Sequence, residues 1–191
     1  MKSIMGTETE RNLLMAFAGE SQARNRYLFF AAQARKEGYQ KIADYFEQTA
    51  NNEKEHAELY FKHLEGGMVE ITASYPAGVI GDTAANLMEA AGGEHEEWTI
   101  LYPMYAEVAQ AEGFPIVAKL FRGIAEIEGE HYKRYMKIKE ALDKKEIFHK
   151  KENKVWRCEK CGHEHIGHDA PDKCPICDHP QAYFDIKCDS I

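Results

Sequence analysis

The sequence predicts a mainly α fold: a four-helix bundle with a long connection between its second and third helices, followed by a small cysteine-rich metal-knuckle domain. Three observations predict it. Glycine-poor stretches with apolar residues at spacings of three and four run from Thr7 to about Lys144 and are punctuated by Gly38, Gly66-Gly67 and Gly113. The two halves of that region match at a shift of 75, pairing Glu37-Gly38-Tyr39 with Glu112-Gly113-Phe114, Phe46 with Phe121, Ala50 with Ala125, and Glu53, Glu55 and His56 with Glu128, Glu130 and His131. All five cysteines fall in residues 155–191.

The first helix opens at Thr7-x-x-Glu10, a capping-box sequence, and runs to Arg35-Lys36-Glu37-Gly38. The second starts near Gln40, carries Ile42, Tyr45, Phe46, Thr49, Glu53, His56, Tyr60 and Leu64 at helical spacing, and stops at Gly66-Gly67. Residues 67–82 hold Gly67, Pro76, Gly78 and Gly81 and read as a connection. The third helix runs from Asp82 to about Ala111, with Pro103 as an expected kink or break. The fourth begins at Phe114-Pro115, proline suiting a first-turn position, and ends near Lys144. In an antiparallel hairpin, residues equidistant from the turn lie level. Glu20 and Glu53 are equidistant from a point beside Gly38, and Glu94 and Glu128 from a point beside Gly113. Helices of roughly 28 residues are about 42 Å long, and the 67–82 connection reaches about 50 Å when extended. It can therefore cross the bundle and leave helices two and three parallel, which is the ferritin-like topology.

Residues 1–145 are thus read as the bundle, 146–154 as a charged linker and 155–191 as a second domain. The last is too short to be stabilised by apolar burial alone and needs a metal to organise it. The formal charge of -8, with Lys and Arg scattered among carboxylates, argues against nucleic acid. No apolar run approaches a membrane span and the N-terminal residues do not read as a signal peptide, so a cytoplasmic location is expected. In that compartment cysteines serve as metal ligands rather than disulfides.

The chemistry of the bundle lies in its two Glu-x-x-His sequences, because Glu and His at i and i+3 project from one helix face and can serve one ion. Glu53-His56 and Glu128-His131, with the level partners Glu20 and Glu94, form the ligand set of a two-metal carboxylate site. A third occurrence, Glu146-Ile-Phe-His149, has no level partner, since position 113 is glycine, and is assigned to chance. The alternative to ligation is a solvated helix face. The periodicity that turns Phe46, Ala50 and Tyr60 inward also turns Glu53 inward, where an uncompensated carboxylate is very costly. Oxygen-rich ligands with two imidazoles suit iron or manganese better than zinc. Glu97, one turn beyond Glu94, is a fifth carboxylate where the first half has Ala23; it is expected to bind the oxidised metal and yield to His56 on reduction. Tyr27 and Tyr102 sit where they either hydrogen-bond a ligand carboxylate or serve as ordinary core tyrosines. His63 and His95 read as exposed or structural.

Cys158-Glu-Lys-Cys161 and Cys174-Pro-Ile-Cys177 supply four thiolates for one tetrahedral metal, a spacing shared by zinc ribbons and mononuclear iron sites. His163, His165, His168 and His179 are not needed as ligands, and Cys188 is left over from the tetrad.

Essentially the whole chain resembles the rubrerythrin family, on Ala18-Gly-Glu-Ser-Gln-Ala-Arg-Asn-Arg-Tyr27, Glu53-x-x-His56, Gly93-Glu94-x-x-Glu97, Glu128-x-x-His131, and Trp156-Arg-Cys158-Glu-Lys-Cys161-Gly with Cys174-Pro-Ile-Cys177. The resemblance implies a ferritin-like di-iron bundle holding two Fe and a rubredoxin-like domain holding one Fe on its four cysteines. It implies a peroxidase that reduces hydrogen peroxide to water with electrons from the rubredoxin-like centre, in oxidative stress defence. It makes Glu97/His56 exchange a family feature and puts Tyr27 and Tyr102 beside the ligand carboxylates. It also implies a homodimer with inter-subunit electron transfer, fed by an electron-donor protein such as a rubredoxin or its reductase. The competing readings are iron oxidation and storage, an oxidase that uses O2, and a non-enzymatic scaffold with a zinc ribbon.

Overall fold

A computed structural model of the chain describes residues 2–188. Five α-helices form the bundle: α1 (Glu8–Lys36), α2 (Gln40–Phe61), α3 (Thr83–Glu96), α4 (Tyr102–Ala111) and α5 (Pro115–Asp143). A π-helical segment, Glu97–Leu101, joins α3 to α4 without a break, so these act as one long third rod. The mostly helical architecture and the long crossover between α2 and α3 make the fold ferritin-like.

The caps explain where the rods begin and turn. Thr7 accepts from the Glu10 amide, while the Glu10 carboxylate reaches back to the amide of Gly6 rather than that of Thr7. Gly38 and Gly113 take φ of +86° and +85°, a left-handed conformation that glycine adopts without strain. At each the next amide returns to the helix, Tyr39 N–H to the Ala34 carbonyl and Phe114 N–H to the Ala109 carbonyl. The duplicated sequence therefore folds into the same helix–turn–helix unit twice. The second helix ends at Phe61, earlier than the Gly66-Gly67 stop signal suggests, and residues 62–64 close in tighter turns that exclude Leu64 from it.

The third rod differs from expectation in kind. Pro103 does not end it; the irregularity is the π segment just before the proline. The Tyr102 amide bonds five residues back to Glu97, and Pro103 has no N–H with which to resume the ordinary ladder at once.

Two apolar layers fill the bundle. One contains Tyr27, Phe30, Phe46, Leu87 and Tyr135, the other Leu13, Tyr60, Tyr102, Phe121 and Ile124. Every rod passes from one layer to the other, and on every rod the crossing point is a glutamate: Glu20, Glu53, Glu94 and Glu128.

The cysteine domain is a three-stranded antiparallel sheet of β1 (His149–Cys158), β2 (Glu164–Asp169) and β3 (Phe184–Ile186), with β1 in the centre. Strand β1 begins inside the 146–154 stretch read from the sequence as linker. Trp156, opposite His165 on one side and Ile186 on the other, packs with Phe184 and Ala170 into a minimal core. The domain touches the bundle through a Lys41–Asp185 ion pair at 2.7 Å and a stacked Tyr39–Phe148 pair.

Candidate metal centres

Glu20, Glu53, Glu94 and Glu128 are each no more than 1% exposed, and His56 and His131 only 4%. Six ionisable groups share one layer because each rod contributes a residue at the same height, and the i, i+3 spacing adds an imidazole on α2 and on α5. Desolvating so many charges is prohibitive unless they are paired or hold a cation.

Their atoms converge on two points. Glu20, Glu53, His56 and Glu128 can bring one ligand atom each to the first, and Glu53, Glu94, Glu128 and His131 to the second, with the atoms of each set within 4.8 Å of one another. Glu53 and Glu128 belong to both sets and so could be shared by two ions. His56 Nδ1 lies 2.9 Å from Glu53 and from Glu128; His131 Nδ1 lies 2.7 Å from Glu128 and 3.4 Å from Glu94. Despite this proximity, both oxygens of Glu53 and Glu128, Oε2 of Glu20 and Glu94, and both Nδ1 atoms lack a well-formed hydrogen-bond partner. Buried atoms aimed at common points without hydrogen bonds are what coordination requires, and the donor set fits two iron ions.

The electrostatics of the metal-free cluster agree. Burial disfavours the imidazolium of His56, yet Glu128 and Glu53 outweigh it and raise its pKa to about 10. At His131 burial is again overcome, by Glu128, Glu53 and Glu94, which carry the pKa to about 12. Burial and the charge of Glu128 raise Glu94 to about 7 against the opposing pull of His131. Glu20 is pushed well above the carboxylate range by burial, then by Glu128, Glu53 and Glu97. Protons on these groups supply the positive charge that metal would otherwise bring.

The two tyrosines are placed crosswise. Tyr27, on the same helix as Glu20, donates instead to Glu94 Oε1 at 2.6 Å. Tyr102 donates to Glu20 Oε1 at 2.5 Å and lies 3.5 Å from Glu97 Oε1. Each half of the repeat thus steadies the terminal carboxylate of the other. The sequence alignment contains this symmetry: Tyr27 and Tyr102 match at the repeat shift of 75, whereas Glu20 and Glu94 match at 74. One residue has been added between Glu94 and Tyr102, and the π segment is where the helix accommodates it.

Glu97 begins that segment and is not a member of either converging set. Its half-buried carboxylate lies beside Tyr102, and its pKa is raised by burial and then by Glu94, Glu128 and Glu53. The structure brings His56 to the cluster and leaves Glu97 outside. Two residues that sequence reasoning missed hold the π segment against α5. A Cβ on Gly129 would come within 2.9 Å of the Trp98 ring, so only glycine between Glu128 and His131 lets Trp98 lie there. His95 is exposed and packs edge-on against Trp98 and Tyr132, a structural role.

In the second centre, Cys158, Cys161, Cys174 and Cys177 also converge. Two of their Sγ pairs, Cys158–Cys177 and Cys161–Cys174, are 3.6 Å apart. That is too long for a disulfide and close to the edge of about 3.8 Å expected for a tetrahedron with 2.3 Å metal–sulfur bonds. Gly162 and Asp178, with φ of +77° and +60°, close the two knuckles, where their amides reach back to the carbonyls of Cys158 and Cys174. Burial opposes the Cys174 thiolate, but the amides of Cys177 and Ile176 help lower its pKa to about 6.

Comparison with known proteins matches residues 11–139 to the family model "Rubrerythrin" and residues 156–185 to "Rubrerythrin, rubredoxin-like domain". A rubrerythrin from Porphyromonas gingivalis is 55% identical over 184 residues, covering 96% of this chain and 92% of the relative. The solved structure of nigerythrin in a partially reduced state is 30% identical, with a TM-score of 0.64 over 97% of this chain and 92% of that one. Bacterioferritin BfrA of Mycobacterium tuberculosis, at 18% identity, shares the bundle fold alone, with a TM-score of 0.64 over 75% of this chain and 90% of that one.

Proposed function

The chain belongs to the rubrerythrin family, and from that premise we propose that it is a peroxidase reducing hydrogen peroxide to water with electrons passed from its four-cysteine iron centre. The observation that carries the reading is the presence, in one chain, of a four-carboxylate, two-histidine two-metal site and a four-cysteine knuckle. A storage protein gains nothing from an attached one-electron carrier, whereas a peroxidase needs its two-electron site refilled.

Two ferrous ions held by the carboxylates and imidazoles would supply the two electrons that hydrogen peroxide takes up, with two protons, in becoming two waters. The side chains provide the rest. Glu53 and Glu128 would be shared by the two metals, with Glu20 and His56 completing one site and Glu94 and His131 the other. Tyr27 and Tyr102 fix the orientation of Glu94 and Glu20. Tyr102 lies within reach of both Glu20 and Glu97, so a proton taken or given by Glu97 has a hydrogen-bonded route to the ligand layer. Glu97 and His56 would exchange as ligands when the metals change oxidation state; His56 is the one of the two whose ring nitrogen converges with the carboxylates. Structures of the two redox states with identical ligation would refute the exchange.

The electron route is proposed to run between subunits of a homodimer. Within one chain the cysteine domain rests at Lys41, twelve residues and so about 18 Å of helix from Glu53, and electron tunnelling weakens steeply with distance. We infer that the shorter path leads to the two-metal site of a partner subunit. The donor is proposed to be a rubredoxin or its reductase, in the cytoplasm; among the described residues no helix is long and apolar enough to cross a membrane.

The decisive experiment is anaerobic reduction followed by stopped-flow mixing with hydrogen peroxide and, separately, with O2. The peroxidase reading expects peroxide to reoxidise the centre much faster. Equal rates, or faster reaction with O2, would transfer the protein to the oxidase or iron-oxidising class.

A further inference from the structure

A cavity of about 260 Å³ lies beneath the crossover, bounded in part by Gly19, Tyr75, Gly93, Glu97, Tyr102 and Tyr105. The crossover is its roof. Tyr75 donates to the Met15 carbonyl at 2.8 Å and the Gln22 amide donates to the Pro76 carbonyl at 3.0 Å, pinning this irregular segment onto α1. Glu97 also lines the cavity, beside Tyr102, whose hydroxyl bonds Glu20 of the converging set. A larger cavity, about 550 Å³ between α2, α5 and the cysteine domain, is lined by none of the converging glutamates, histidines or cysteines.

Two of the cavity's walls are mid-helix glycines, each immediately before a ligand glutamate: Gly19 before Glu20 and Gly93 before Glu94. Glycine inside a helix costs about 1 kcal/mol relative to alanine, so the empty space needs a reason. A Cβ at Gly19 would lie 3.6 Å from the Tyr75 ring and 4.0 Å from Glu97 Oε1. It would touch both sides of the passage without clashing with either. The absent methyl is therefore the opening itself, and sterics alone do not forbid filling it.

We propose that the gap between Tyr75 and Glu97, over Gly19, is the entrance through which peroxide reaches the two-metal site, and that Tyr75 and Gly19 set its width to favour hydrogen peroxide over alkyl hydroperoxides. The inference rests on the peroxidase reading above. The walls suit a small neutral molecule: the phenol oxygens of Tyr75 and Tyr102, whose protons go to the Met15 carbonyl and to Glu20, can still accept a hydrogen bond, and Arg26 and Glu96 put opposite charges on the same wall.

The test uses the iron-loaded full chain, reduced anaerobically and mixed with hydrogen peroxide or tert-butyl hydroperoxide. Wild type, Gly19→Ala, Tyr75→Ala and Gly92→Ala are compared, the last placing its methyl in open space as a control. Iron content and the ferric absorption spectrum are recorded for each. One methylene in a pocket is worth roughly ten- to two-hundred-fold in rate, so Gly19→Ala should slow hydrogen peroxide roughly ten-fold with its spectrum unchanged. Tyr75→Ala should raise the alkyl hydroperoxide rate by a similar factor and narrow the ratio between the two substrates, while Gly92→Ala should match wild type. If Gly19→Ala loses iron, Tyr75→Ala, which removes no ligand, decides the matter alone. An unchanged substrate ratio in Tyr75→Ala overturns the entrance while fast peroxide reduction by wild type leaves the peroxidase standing. Wild type reacting no faster with peroxide than with O2 removes both.

Discussion

At the scale of single residues, the crossed tyrosines separate holding a metal from using it. Tyr102 bonds Glu20 and approaches Glu97, but its oxygen belongs to neither converging set. Tyr102→Phe should keep both irons, as read by metal analysis, and lower the rate of peroxide reduction roughly ten-fold, the scale of one charge-assisted hydrogen bond. Loss of iron in that variant would make Tyr102 structural instead. The histidines make a second prediction. With pKa values raised from 6.5 to about 10 and about 12, His56 and His131 are protonated at neutral pH in the metal-free protein. Their pairing with carboxylates stabilises the metal-free fold fully below pH 6.5 and fades as pH rises through those raised values. Metal must displace the same protons, so ferrous loading at pH 7 should release at least about two protons per chain and tighten as pH rises. Titration in weak buffer with an indicator dye checks this, and uptake without proton release would contradict the cluster as drawn. The convergence of the four glutamates and two histidines was legible in sequence because helical spacing and hairpin levelling are rigid constraints. The crossing of the tyrosines was not, because helix periodicity relates a side chain to its own helix and not to the one facing it.

At the scale of elements, what was legible were the rods and their turns, since capping residues and Gly38 and Gly113 act locally. The π segment was hidden although its signal was present: the glutamates repeat at 74 and the tyrosines at 75. Pro103 drew attention to the wrong feature, a break, when the sequence difference was an added residue. That residue gives the third rod its asymmetry and puts Glu97 at the start of a widened turn. Trp98, the next residue, fills the space over Gly129. Gly129→Ala gains about 1 kcal/mol of helix propensity, but its Cβ at 2.9 Å from the indole forces Trp98 aside, and overpacking of that kind costs about 1–3 kcal/mol. The net expectation is a protein destabilised by about 1 kcal/mol, with a lowered urea midpoint and altered Trp98 fluorescence. Stability at or above wild type would mean that the indole yields freely and does not brace the π segment.

At the scale of the whole molecule, the cysteine knuckles predicted a second metal domain, while the position of that domain on the bundle was beyond any sequence pattern. Its attachment rests on exposed or half-exposed contacts such as Lys41–Asp185 and on one aromatic stack, which bind weakly compared with a buried core. Lys41 and Glu53 sit at different heights on α2, so the bundle itself separates the two centres of one chain. If electrons pass between subunits of a symmetric dimer, two different defects should complement one another. Cys161→Ser removes a thiolate from the one-electron centre, and Glu53→Ala removes a bridge from the two-metal site. Each variant alone should fail to reduce peroxide with electrons from a rubredoxin-type donor. After subunit exchange half of the dimers carry one chain of each kind, and each hybrid keeps one intact centre of each type on opposite chains. Donor-driven activity should then return to roughly a quarter of wild type. An intra-chain route predicts no recovery, because no chain in the mixture holds both centres.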